Sequence, residues 1–178
     1  MSAGASGTAR VDNDITLLAP KFSEAVIKAL ALCESAGIDA VVYEANRSAE
    51  LQELYYCRGR TVLPPRSTVT NARSNLFSWH GYGLAVDVIH RIKQWDVSEA
   101  WFASVAEHFI ATGCRWGGEW KMKDLPHFQW GLCKPSPSDN ARAILLSRGR
   151  EAVWDAVSAN ANSSPSSSET LVAPSSRE

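Results

Sequence analysis

Apolar residues recur along this chain in two rhythms, one of helices and one of strands. Phe22, Val26, Leu30 and Cys33 lie three or four apart, the spacing of one helical face, and predict a helix running from Pro20 to Gly37. Proline suits the first turn, where its missing N–H has no intrahelical partner, and glycine suits the stop. Residues 39–45 (Asp-Ala-Val-Val-Tyr-Glu-Ala) are rich in β-branched and aromatic side chains and predict a strand. Asn46 or Ser48 can cap a second, short helix that carries Leu51, Leu54 and Tyr55 and ends near Gly59. Leu84 to Ile89 predicts a buried strand. Asp96-Val-Ser-Glu99 has the spacing of a capping box, with Asp96 in the capping position. The helix that follows carries Trp101, Val105, Phe109 and Ile110 and stops at Gly113. Gly117-Gly118 marks a turn or a close backbone approach. His127 to Trp130 predicts a short final strand, and Ser138 to Ala159 a helix with Ile144, Leu145, Ala152, Val153 and Ala156 on its apolar face.

These elements mix without a regular strand–helix alternation, which predicts an α+β fold with a small, mainly antiparallel sheet flanked by helices. The expected organisation is a flexible N-terminal arm (1–14), a main domain (15–135) that holds the candidate chemistry, a helical extension (136–159) and a disordered tail (160–178). The tail reading rests on Asn162-Ser-Ser-Pro-Ser-Ser-Ser168, which has too few apolar residues to bury. Residues 60–77 form a long connection with Pro64, Pro65, Thr68, Thr70 and Asn71, and long connections in compact domains are often functional.

Composition narrows the partners. The 178 residues are 45% hydrophobic and 21% charged, and the formal net charge of -1 gives no general basic field for nucleic acid or an anionic membrane. No run approaches the roughly 20 apolar residues of a membrane span, and the N-terminus lacks the apolar stretch of a secretory signal. The chain is therefore expected to be made in the cytoplasm. Cys33, Cys57, Cys114 and Cys133 include no C-x-x-C pair and read as reduced thiols, mostly buried. Trp79, Trp95, Trp116, Trp120 and Trp130 lie in or beside the stretch from His80 to Trp130, either as core or as the wall of a cleft.

That stretch carries the chemistry. Asp87 sits inside an apolar strand, which is costly for a carboxylate unless it is paired or bound to a cation. His80 precedes it by seven residues, and Asp124-Leu-Pro-His127 adds a second histidine and another acid. Two imidazoles and one carboxylate suit one catalytic zinc ion, leaving a coordination position for water. His80, Asp87 and His127 are the expected ligands. Asp124 is the expected general base, with Pro126 breaking strand geometry so that Asp124 and His127 face one site. Glu119 is its rival. Arg47, at a strand-to-helix junction, is the candidate to stabilise an oxyanion. Each has a plainer reading: Asp87 as an arginine's partner, Asp124 as a turn former, Arg47 as an ion-pair residue. His90 and His108 read as structural. Cys133 is a ligand by chemistry only, since its spacing does not favour it.

Taken together, Ser78-x-His80-x-x-Gly83-x-Ala85-x-Asp87 followed by Asp124-x-x-His127 resembles the zinc D,D-carboxypeptidases and L-alanyl-D-glutamate endopeptidases of the VanY and phage-endolysin type, peptidase family M15. Arg47-Ser48 with Gln52 and Leu54-Tyr55, then Gly59-Arg60-Thr61, Val69-Thr70-Asn71-Ala72 and Trp116-Gly-Gly-Glu-Trp120, are similar to the family's supporting segments. The resemblance spans about residues 20–131. It implies a Hedgehog/D-Ala-D-Ala peptidase-like fold and the same ligand and base assignments, with Arg47 at the substrate or the developing oxyanion. Gln52, Ser78, Trp116 and Trp120 are the further residues expected to bind substrate. It also implies bacterial peptidoglycan stem peptides as the partner. No nucleic-acid partner or membrane insertion is expected, and the chain is expected to be a monomer.

The expected activity is that of an endolysin cutting the L-Ala–D-Glu bond, stored in the host cytoplasm and acting on the wall after release. The alternatives are a D,D-carboxypeptidase removing terminal D-Ala, a non-catalytic zinc module that binds wall peptides or a protein, and a folded domain without metal. Many relatives from phages of Gram-positive hosts add a separate wall-binding domain, whereas the residues after 131 here offer one expected helix and a Ser-rich tail, a departure that favours a single-domain enzyme against a Gram-negative wall.

Overall fold

A computed structural model describes residues 9–61 and 68–162. Four helices, α1 (Pro20–Ser35), α2 (Ala49–Cys57), α3 (Glu99–Ala111) and α4 (Asp139–Asn162), surround four strands, β1 (Ala40–Glu44), β2 (Ala85–His90), β3 (Cys114–Trp116) and β4 (His127–Trp130). The strands form one antiparallel sheet in the order β1-β2-β4-β3. This is the α+β arrangement expected. The strand at His127–Trp130 is last in sequence but central in the sheet. The short strand β3, which the apolar pattern did not predict, covers its outer edge. The serine-rich tail beyond residue 162, the first eight residues and Pro64-Pro65 lie outside the described residues.

The sheet has a packed face and a polar face. On the packed face Val86 and Val88 of β2 and Phe128 of β4 are fully buried. Phe109 of α3 packs on Phe128 with ring centroids 4.3 Å apart, and Phe22 of α1 reaches Trp130 at 6.0 Å. α1 and α3 therefore cover this face side by side. The opposite face carries Asp87, His127 and Gln129, because alternate residues of a strand point to opposite sides. Antiparallel pairing sets Asp87 directly across from His127.

One irregularity places a fourth polar residue there. Val42 pairs with Val88, but Glu44 pairs with Asp87, so two steps along β1 match one along β2. Period-two alternation would keep Glu44 on Val42's face. The bulge at Tyr43 turns it to the polar face instead.

Several local expectations shift. Ser48, rather than Asn46, caps α2, and its side chain accepts from Leu51 N–H. Ser98, rather than Asp96, caps α3 by accepting from Trp101 N–H, because the helix begins two residues later than the Asp96 spacing implied. That register buries Phe102, Val105, Ala106 and Phe109 and leaves Ile110 exposed. In the described part of the N-terminal segment, Asp12 forms a bridge with Asn46, and Asp14 caps a short 3-10 turn at Ile15–Leu17. α4 is broken at Gly149, whose φ of 83° lies in the left-handed region, so two helical pieces replace the continuous one expected. Its second piece packs on the body: Val153 is buried, Trp154 donates its indole N–H to Tyr82 O at 2.7 Å, and Arg150 donates to Asn46 Oδ1 at 2.9 Å.

Phe109→Ala removes the ring that seats α3 on the centre of the sheet. Loss of about 3–5 kcal/mol of folding stability is expected, measured by urea unfolding with an unchanged denaturant slope.

Candidate metal and catalytic site

The polar face of the sheet meets a 3-10 turn, Trp79–Tyr82, that carries His80 in from the side. The turn ends at Gly83, whose φ of 68° favours glycine and whose added Cβ would lie 2.6 Å from Leu17 O. That close approach locks the turn against the N-terminal segment. Arg47 N–H also donates to His80 O at 3.4 Å, tying the turn to the β1–α2 junction.

Three ligand atoms converge. His80 Nε2 lies 3.2 Å from His127 Nδ1 and 3.3 Å from Asp87 Oδ1, and His127 Nδ1 lies 3.4 Å from Asp87 Oδ1. A tetrahedral ion with bonds of about 2.0–2.1 Å holds its ligand atoms about 3.3–3.4 Å apart. The triangle fits that edge. Two imidazole nitrogens this close repel through their lone pairs unless a proton or a cation lies between them. The charges fit as well. Asp87 and Glu44 pair with the guanidinium of Arg47 and the Asp124 carboxyl adds a further acid near Asp87, a set that a divalent cation would help to balance. Both imidazoles and the Asp87 carboxylate are donors suited to zinc.

The electrostatics follow from burial. Desolvation would raise the Asp87 carboxyl, but His80, His127 and Arg47 outweigh it and hold the pKa well below the ordinary value. His80 is almost fully buried, and desolvation with the nearby Arg47 charge pushes it down to about 3, so it is neutral at pH 7. Desolvation also opposes charge on His127, but Asp87 and Asp124 overcome it and raise that pKa.

Asp124 is held beside the triangle by its own turn. Its carbonyl accepts from His127 N–H at 3.2 Å across Leu125-Pro126, which turns the chain so that residues three apart meet. Gly117 O accepts from Asp124 N–H at 3.0 Å, and a Cβ on Gly117 would lie 2.5 Å from Asp124 O. Asp124 is exposed as a whole residue, yet its carboxyl group is crowded. Desolvation and the neighbouring Asp87 charge raise its pKa. Glu119, its rival, is exposed, and no hydrogen bond or ion pair joins it to the ligands among the described residues.

Arg47 lies against the ligand cluster and is engaged by its neighbours. Its guanidinium is 7% exposed and donates to Glu44 through Nε (2.9 Å) and Nη2, to Gln52 Oε1 through Nη1 (3.2 Å) and to Asp87 Oδ2 through Nη2 (3.1 Å). Of its five N–H groups one remains. The side chain is built to hold Asp87 from behind. Glu44, which sequence reasoning missed, is fully buried. Desolvation outweighs its bond to Arg47 and pushes its carboxyl up to about 7.

The other expected substrate contacts divide. Gln52 is fully buried and bonded internally, accepting from Arg47 and donating to Ala72 O at 2.7 Å, so it supports the arginine. Trp116 donates its indole N–H to Leu125 O at 2.7 Å and so braces the Asp124 turn. Trp120 is half-buried with its ring 5.0 Å from that of His127, which makes it a wall of the site. Ser78 is half-buried at the entry to the His80 turn. His90 accepts from Ile92 and Lys93 N–H in its own loop, away from the cluster. Gln129 is a second residue that sequence reasoning missed: it is 1% exposed, and its Oε1 lies 3.3 Å from His127 Nε2. The signal available was a polar residue two places after His127 in an apolar strand.

Residues 71–130 match the sequence family described as D-alanyl-D-alanine carboxypeptidase. Among solved structures the chain is similar to the L-Ala D-Glu endopeptidase ChiX of Serratia marcescens, with 25% identity, a TM-score of 0.50, and coverage of 70% of this chain and 88% of that one. The matched segment holds His80, Asp87, Asp124 and His127 and leaves out Glu44 and Arg47.

Glu44→Ala would leave Arg47 buried with one carboxylate partner in place of two. Breaking such a pair is expected to cost about 3 kcal/mol of folding stability, read by chemical denaturation. A loss below about 0.5 kcal/mol would mean the Glu44–Arg47 pair does not hold this end of the sheet.

Proposed function

We propose that this chain, an M15-type peptidase by its matched segment and its fold, is a zinc-dependent peptidoglycan endopeptidase that hydrolyses the L-Ala–D-Glu bond of stem peptides. The observation that carries the reading is the His80–Asp87–His127 triangle with the Asp124 carboxyl beside it. The likeness to the Serratia endopeptidase supports the choice of bond.

His80 Nε2, Asp87 Oδ1 and His127 Nδ1 would hold the ion. A zinc ion bound there supplies Lewis-acid chemistry, polarising a carbonyl and lowering the pKa of water from 15.7 to roughly 7. The remaining steps belong to the chain's own groups. Asp124 takes the proton of the attacking water on a carboxylate oxygen and gives it to the departing amine nitrogen. Its raised pKa brings the carboxyl closer to working pH, where a group can both accept and release a proton. Arg47 fixes the rotamer of Asp87 through Nη2 and keeps that carboxylate ionised. Trp120 walls the site beside His127. This assigns Arg47 to positioning in place of direct oxyanion stabilisation.

A D,D-carboxypeptidase using the same groups is the second reading, favoured by the description of the matched family. Mass spectrometry of digested peptidoglycan separates the two. Cleavage between L-Ala and D-Glu is expected, and release of terminal D-Ala alone would sink the endopeptidase assignment.

Two further outcomes are expected. Asp124→Asn should keep zinc and lose hydrolysis by a factor of roughly 10² to 10⁴, measured as turnover alongside metal content. Full activity in that variant would remove Asp124 from the mechanism. Metal analysis of protein purified without added zinc should give about one zinc per chain, and His80→Ala should lower that ratio.

A further inference from the structure

We infer that Gln129 is a positioning residue that holds His127 in the tautomer protonated at Nε2, and that the Lys134 backbone carbonyl fixes the direction in which Gln129 faces. The inference rests on reading His127 as a ligand and concerns how that ligand is prepared.

A neutral imidazole carries one proton, so one nitrogen donates and the other offers a lone pair. Only the lone pair can bind a cation, and the partner of the other nitrogen decides which one that is. His127 Nδ1 faces Asp87 Oδ1 and His80 Nε2, so a ring ready for metal must carry its proton on Nε2. Nε2 lies 3.3 Å from Gln129 Oε1.

The two ends of a carboxamide have nearly the same shape, so shape alone does not say which end faces the ring. Lys134 O decides it. A backbone carbonyl can only accept, and this one lies 2.9 Å from Gln129 Nε2. Turning the amide over would set oxygen against oxygen there and leave buried polar groups unpaired, a costly arrangement. Lys134 O is itself fixed by the Trp79 indole N–H at 2.7 Å. Gln129 is 1% exposed, so solvent is a poor substitute for either bond. A relay therefore runs from Trp79 through Lys134 and Gln129 to His127.

The relay is one-sided. His80 Nδ1 is buried and has no hydrogen-bond partner among the described residues. The two histidines thus present different nitrogens, Nε2 of His80 and Nδ1 of His127, and only the second has its proton placed by a neighbour. Lys134 lies beyond the segment matched by the family, so the end of the relay comes from the turn that follows β4.

The test uses the full chain without metal, at a pH raised until the His127 ¹⁵N shifts stop changing, so that the ring is neutral. Long-range ¹H–¹⁵N imidazole spectra of the unsubstituted protein should show His127 in the Nε2–H form. An Nδ1–H form would overturn the inference with no variant needed. Gln129→Leu keeps the approximate bulk and removes the acceptor. It should shift His127 toward Nδ1–H and weaken zinc binding about 10- to 100-fold in chelator competition. An unchanged tautomer with unchanged zinc affinity would also overturn it. Gln129→Glu keeps an oxygen toward Nε2 but sets its other oxygen against Lys134 O, so it should retain the Nε2–H form while losing folding stability, and a merely space-filling role for Gln129 requires neither. None of these readouts uses peptidoglycan, so failure of the substrate assignment leaves them intact.

Discussion

A carboxylate embedded in a sheet must be compensated on every side, and Asp87 is that carboxylate. Its partners come from three parts of the chain. Arg47 reaches it from the β1–α2 junction, His127 from the strand beside it, and His80 from the 3-10 turn just before it. Asp124, a like charge on the turn that leads into β4, works against them, and its own pKa rises for that reason as well as from desolvation. Remove the aspartate and three polar side chains lose their common object. The sheet's packed face supplies the rigidity that keeps these groups within hydrogen-bond reach of one another.

The support is layered. Arg47 holds Asp87, and Arg47 is held in turn by Glu44 and Gln52, with Tyr55 4.9 Å from its guanidinium carbon. Gln129 backs His127 in the same way. Groups that touch a reacting centre are oriented by neighbours that do not touch it, and those neighbours are mostly more deeply buried. This explains why Gln52, expected at the substrate, sits fully inside.

Much of the centre was legible in the sequence because it obeys simple periods. Asp87 stands out within an apolar strand, and the proline of Asp124-Leu-Pro-His127 predicts the turn that brings acid and histidine together. What the sequence hid breaks those periods or depends on distant partners. Glu44 follows Val42 by two residues and so reads as sharing its face, and only the bulge at Tyr43 turns it toward Asp87. Gln129 looks like any polar strand residue until Lys134 O fixes its orientation. Ser98 and Asp96 both suit a cap, and helix register chose between them. The break at Gly149 was hidden because glycine interrupts a helical pattern weakly unless its dihedral angles are known.

The direct pairing of Asp87 with His127 has a thermodynamic consequence. These residues are 40 positions apart in sequence and become neighbours only when β2 and β4 pair at the centre of the sheet. An unfolded chain therefore presents no comparable triad. A cation bound there would favour the folded ensemble by mass action, about 2.7 kcal/mol at a free concentration one hundred times its dissociation constant. The middle of the sheet would then draw part of its resistance to unfolding from its surroundings, and the protein's persistence would track the supply of free divalent ion.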